Sequence, residues 1–232
     1  MIEQPIGIVF QTLMLAVFPA VTAAYEIDGR HPAEVLVGRL TRVYLLLALP
    51  AAALLGVLAQ PVMHVMTQRE EFRSAYTVAP RLAAASMMYG LHYYAALGLH
   101  LARRTGQLLA LTALSIGVNL IGNWWLVPVH GYDACGMVRL LSNGVLVAAV
   151  ATCAHRHLRW SFPWASLIRI GLASTAAGGT TFLLQRHLPP NLLTLVMLGC
   201  VFGIVYATFS LITRELRLQD LLSLLPRRGK TP

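Results

Sequence analysis

Apolar residues run along this chain in stretches of about twenty, each closed by a short polar or turn-rich interruption. A helix rises about 1.5 Å per residue, so roughly 20 mostly apolar residues cross the hydrocarbon core of a bilayer. Stretches of that kind lie at residues 5–25, 43–66, 78–101, 107–128, 135–155, 165–185 and 191–213. The pattern predicts an all-α, polytopic membrane helix bundle with about seven transmembrane helices. The first stretch does not read as a signal peptide. It has no basic leader, it follows Glu3 and Gln4, and it is too long for an h-region.

Composition sharpens this picture. Hydrophobic residues make up 57 % of the 232 and charged residues only 12 %, about half the charged share that a soluble domain needs to wet its surface. Mean hydropathy is +0.65. Lipid, not water, is therefore the solvent for most of the surface. The net charge of +9 calls for no nucleic-acid partner, since no zinc-finger, RNP-like or aromatic-plus-basic pattern accompanies it. Cys135, Cys153 and Cys200 show no ligand or disulfide spacing and are read as small buried hydrophobes. No metal site and no cofactor are expected.

Charge placement gives the orientation. With alternating spans, one side holds Arg30, Arg39, Arg42, Arg103, Arg104, Arg156, Arg159, Arg169 and the five basic residues from Arg214 onward. The other side holds Arg69, Arg73, Arg81, Arg139 and Arg186. Cytoplasmic loops collect Lys and Arg, so the richer side and the C-terminus are assigned to the cytoplasm. Seven spans then put Met1 outside, almost at the lip of the first span, and a truncated chain is the expectation. After the last span, "TRELRLQDLLSLLP" sets leucines among charged residues and stops at Pro226, which predicts an interfacial amphipathic helix and basic tail over 214–232.

Chemistry concentrates in "VNLIGNWWLVPVHGYDACGMVRLLSN", Val118 to Asn143. Asn119 and Asn123 are four apart and share a helix face. Amides at that spacing either bond neighbouring helices or meet a substrate. Trp124 and Trp125 mark the aromatic belt of the outer interface. Arg139 lies about one turn into its helix. It either snorkels outward or faces a cavity, where a guanidinium could grip two oxygens of a phosphate. Arg81 poses the same choice. His64, His92 and His100 lie in or beside spans with no acidic partner, and are read as packing or interfacial residues. "HRH" (His155 to His157) points its imidazoles apart and gives no metal site.

The segment "NLIGNWWLVPVHGYDACG" resembles the Asn-x-x-x-Asn-x-x-x-x-Pro-x-x-Gly signature of polysaccharide and lipid-linked oligosaccharide exporters, here Asn119, Asn123, Pro128 and Gly131. These belong to the multidrug/oligosaccharidyl-lipid/polysaccharide exporter superfamily, with the O-antigen flippases, the lipid II flippase and the MATE transporters. "LMLAVFPAVTAAYE", "LLLALPAAALLGVLAQPVMHVM" and "GLHLARRTGQLLALTALSIGVNL" resemble other parts of it in the same order. The likeness runs from residue 1 to about 215 and matches only the C-terminal half of such two-lobe proteins. It implies a partial second lobe over 1–155, two additional C-terminal helices over 156–213, and the tail over 214–232. This chain departs from the pattern after Gly131, where Met137 and Arg139 replace small residues and argue against a close helix contact.

The resemblance implies membrane transport: one half of a flippase moving polyprenyl-pyrophosphate-linked glycan across the bacterial inner membrane by alternating access. Arg139, Arg81, Asn119 and Asn123 are the candidate substrate contacts. Half a transporter encloses no central cavity, so a missing N-terminal lobe, a partner chain or a second copy is implied. One alternative is half of a MATE-like drug or cation antiporter, which needs buried coupling carboxylates, whereas every Asp and Glu here falls outside the predicted span cores. Another is a non-catalytic assembly subunit or inactive fragment. A membrane glycosyltransferase or polymerase would need acidic or histidine clusters in a sizeable aqueous loop. The longest outer loop, about Thr67 to Thr77, offers none, so no enzyme is expected.

Overall fold

A computed structural model describes residues 17–66, 74–213 and Glu215. Regular structure among them is entirely helical: α1 Val17–Ile27, α2 Arg30–Met66, a 3-10 turn Ser74–Thr77, α3 Ala79–Leu101, α4 Thr105–His130, α5 Asp133–His155, α6 Trp164–Gln185 and α7 Leu192–Ile212. Five of these, α2 and α4 to α7, are long and apolar enough to cross a membrane. The chain is a multi-pass helical membrane protein. Residues 5–16 of the first expected span and nearly all of the expected amphipathic tail lie outside the described residues.

Helix α2 departs most from the hydropathy pattern. It starts at Arg30, not near residue 43, and its 37 residues extend for about 55 Å against a hydrocarbon core of about 30 Å. The stretch "RHPAEVLVGRLTR" is too polar to look like a span, yet it still carries a helical stripe. Ala33, Val37, Thr41, Tyr44, Leu45 and Ala48 are all buried, at the three- and four-residue spacing of one helix face. Pro32 sits in the first turn, where no intrahelical N–H bond is lost.

Pro50 and Pro61 interrupt the ladder within α2. A proline leaves the carbonyl four residues earlier without its helical donor, and in lipid that acceptor must be satisfied by protein. For Pro50 the orphan is the Leu46 carbonyl. The Tyr206 hydroxyl of α7 donates to it at 2.8 Å.

Helix α3 lies at the centre, packed against α2 on one side and α5 on the other, and α4 leans chiefly on α5. The pair α6 and α7 joins the bundle through α2. Parallel helices α3 and α5 approach closely at two points. A Cβ on Gly98 would lie 3.0 Å from the Ala154 carbonyl oxygen, and one on Gly136 would lie 2.7 Å from a Val78 methyl. Met137 and Arg139 therefore do not prevent tight contact: they are exposed, while Gly136 and Val138 between them pack inward.

One other expectation is corrected. Cys135 and Cys200 are exposed, not buried; Cys153 is half-buried, and all three are free thiols. The glycines of "STAAGGT" and "GCVFG" differ in their surroundings. Gly178 meets Val57 of α2, whereas added Cβ atoms at Gly179, Gly199 and Gly203 would meet nothing within 4 Å. These three positions are surface.

Candidate functional site

The polar residues of the Asn119–Asn143 region form a seam between α4 and α5. Ser115 Oγ donates to the Ser142 carbonyl at 2.8 Å, and Asn119 Nδ2 donates to Ser142 Oγ at 3.1 Å. Ser142 Oγ in turn donates to the Arg139 carbonyl at 3.0 Å. Asn123 Nδ2 reaches back one turn to the Asn119 carbonyl and Oδ1 at 2.9 and 3.0 Å. Asn143, from the other face of α5, donates to the Ala85 carbonyl of α3 at 2.8 Å. In hydrocarbon an unmet amide is costly, so the bonds that cross between helices, from Ser115, Asn119 and Asn143, favour helix association. Asn123 Oδ1 is buried without a partner among the described residues.

The two candidate arginines lie near one end of the bundle in different settings. Arg81 Nη1 is 3.2 Å from Asp133 Oδ1, which also accepts from Thr77 Oγ1 at 2.9 Å. Its charge is already answered, tying the start of α3 to the start of α5. Arg139 is exposed, between Gly136, which meets Val78 and Arg81, and Asn143, which meets Ala85. Gly131 closes α4 with φ 65 and ψ −155, its amide donating to the Val127 carbonyl. That region of backbone space is essentially confined to glycine. Trp124 and Trp125 project from α4, 80 % and 75 % exposed, where an aromatic belt would sit.

A cleft lies elsewhere, between α2, α3 and α6. It encloses about 720 Å³ and is walled by apolar and small residues, including Ala52, Gly56, Ala84, Met87, Gly178 and Gly179. Two residues of its lining, Ser174 and Gln185, carry side-chain oxygens that are buried without partners among the described residues. A second cleft of about 420 Å³ shares Gln60, Phe182 and Gln185 with it and adds His64 and Arg186. The Arg186 guanidinium rests 4.6 Å above the Phe182 ring. None of Arg139, Arg81, Asn119 and Asn123 lines either cleft.

Sequence reasoning missed this cleft, although a signal was present. Leu49, Ala53, Gly56 and Gln60 fall on one face of α2, and Ser174, Gly178, Phe182 and Gln185 fall on one face of α6. Each face carries small residues and ends in a glutamine. Small residues at helical spacing are usually read as helix contacts; here part of the space they leave stays open.

At the opposite end, Glu215 is a buried ionic clasp, 3 % exposed. Its Oε2 lies 2.8 Å from Arg42 Nη2 and its Oε1 lies 3.0 Å from Arg169 Nη1. The Glu215 carbonyl also accepts from Arg42 at 2.8 Å. Burial pushes the carboxyl up, but the Arg169 hydrogen bond, the Arg42 charge and a Ser166 hydrogen bond together hold it below its ordinary value. Both carboxylate oxygens are thus committed to arginines. His92 packs on the Tyr89 and Tyr93 rings, centroids 4.7 and 4.1 Å away, and His100 meets Phe18 edge-on. Both histidines have aromatic neighbours, as packing residues do.

Compared with protein-family models and with curated proteins, the chain matches none.

Proposed function

We propose that this chain is the C-terminal part of a flippase that moves lipid-linked oligosaccharide or polysaccharide precursors across a bacterial inner membrane. The Arg103–Arg104 end of the bundle and the C-terminus are taken to be cytoplasmic, from the arginine bias and the positive-inside rule. The observation that carries the reading is the cleft between α2, α3 and α6. Its apolar walls suit an isoprenoid chain, and Arg186 with His64 in the adjoining cleft suits an anionic headgroup. The exporter-like motif of Asn119, Asn123, Pro128 and Gly131 adds to it. Alternating access then requires a second lobe, supplied by further chain, a partner or a second copy, with Arg139 and Arg81 at candidate substrate-facing positions.

A MATE-like antiporter half is less favoured, because no carboxylate lines either cleft among the described residues. The test is depletion of the chain in its host, followed by sided labelling of polyprenyl-pyrophosphate glycan. Accumulation on the cytoplasmic leaflet, reversed by re-expression, is the expected result. An unchanged distribution removes the flippase reading.

A further inference from the structure

A second, separate site sits at the Arg103–Arg104 end, between α4 and α5. A cavity of about 470 Å³ is ringed by Arg104, Gln107, Arg156 and His157 and floored by Leu111 and Cys153. The chain turn from α3 into α4 aims it. Arg103 adopts φ 54, and the Arg104 and Arg103 amides bond back to the Leu99 and His100 carbonyls at 2.9 and 3.0 Å. This is a Schellman closure with arginine in the place usually held by glycine. Helix α4 then starts directly at the cavity, with Arg104 as its N-cap and no side-chain cap on its first-turn amides. Uncapped amides and the positive end of the helix dipole favour an anion. Among the described residues, neither Arg104 nor Arg156 forms an ion pair with a carboxylate.

We propose that this cavity binds the phosphate headgroup of an anionic phospholipid from the leaflet at this end. Two guanidiniums, an imidazole, an amide side chain and a helix N-terminus converge on a basic recess between spans, the arrangement by which membrane proteins hold acidic lipids. A lipid fits better than a soluble phosphate because the floor is apolar and continues onto the outward face of α4. There Leu114 and Ile121, at helical spacing from Ala110 of the lining, are exposed and would lie along the acyl chains. The proposal is independent of the transport reading, since it concerns a cavity on the lipid-facing side of α4 and α5.

The test is retention of phosphatidylglycerol by the full chain in mixed micelles, read by native mass spectrometry and by the shift in melting temperature on lipid addition. Phosphatidylcholine and inorganic phosphate serve as parallel arms. Near a membrane surface each arginine contributes about fivefold to binding an anionic lipid. Arg104→Gln with Arg156→Gln should therefore weaken phosphatidylglycerol retention about 25-fold and abolish its melting shift. Arg159→Gln, at the same end but outside the cavity, should change retention less than about twofold. Equal losses for Arg159→Gln and for the pair would mean diffuse charge attraction and overturn the proposal. Equal retention of phosphatidylcholine, or equal stabilisation by inorganic phosphate, would also overturn it. All three arginines are exposed, and unchanged melting of the variants without lipid would separate loss of the site from loss of the fold.

Discussion

Helices α3 and α4 are neighbours in sequence, of similar length, and opposite in character. Eleven residues of α3 are buried, among them His92 and Tyr94, whereas Ser115 is the one buried residue of α4. Yet α4 counts among the helices apolar enough to cross a membrane, and α3 does not. In a water-soluble protein that ranking would be reversed. Here the central helix touches protein on most sides, so a ring hydroxyl or imidazole can find a partner there. The peripheral helix touches lipid and must present Leu109, Leu120, Ile121 and Val129 outward. Hydropathy in this protein reports what solvates a helix more than how deeply it is buried.

The largest test of that contrast is steric. Gly98→Leu in α3 would drive a side chain into Ala154 and Leu158, and overpacking of that kind costs about 1–3 kcal/mol or more. Gly117→Leu in α4, where nothing lies within 4 Å, should leave thermal unfolding in detergent almost unchanged. Equal losses at the two sites would break the comparison.

Next in size is the clasp that holds the segment after α7 to α2 and α6. Glu215→Ala leaves Arg42 and Arg169 without their carboxylate and should lower stability by about 1–3 kcal/mol, less than a fully buried pair because both arginines reach solvent. The folded-state pKa of Glu215 lies below its unfolded value near 4.5. Its contribution is therefore complete above about that pH and is lost as the pH falls through the lower, folded value. A melting-temperature series on the acid side should show this decline in the wild type and lose it in Glu215→Gln.

Polar links should matter less, and unequally. Tyr206→Phe removes the donor to the carbonyl that Pro50 orphans in α2, for about 1 kcal/mol. Asn119→Ala removes one bond of the α4–α5 seam, for about 0.6 kcal/mol. A double-mutant cycle of Tyr206→Phe with Pro50→Ala should show coupling, since restoring the helical donor relieves the orphan. Smallest is a purely spectroscopic difference. Brominated lipids should quench Trp124 and Trp125 strongly, and Trp160, which is buried, weakly.

Much of this architecture was legible in the order of residues. Spans over 107–128, 135–155, 165–185 and 191–213 correspond to α4–α7 within a few residues, because twenty consecutive apolar residues admit few other structures. The start of α2 was not, since a hydropathy window averages over all faces and "RHPAEVLVGRLTR" is amphipathic. Its buried stripe through Ala33, Val37 and Thr41 becomes visible only at helical spacing. The candidate site was legible in part. The four-residue spacing of Asn119 and Asn123 foretold a shared face, but not that Asn119 would bond Ser142 of α5 while Asn123 bonds back to Asn119.

By itself, the sequence determined that this protein lives in lipid, how many long helices it forms in its second half, and which loops are basic, since these depend on local hydrophobicity and charge. Tertiary packing alone decided that α3 takes the centre and that Arg81 is answered by Asp133. It also decided that the small faces of α2 and α6 leave an open cleft between them. Those outcomes depend on pairwise distances between residues far apart in the chain, and a linear pattern carries no such distances until the helices have met.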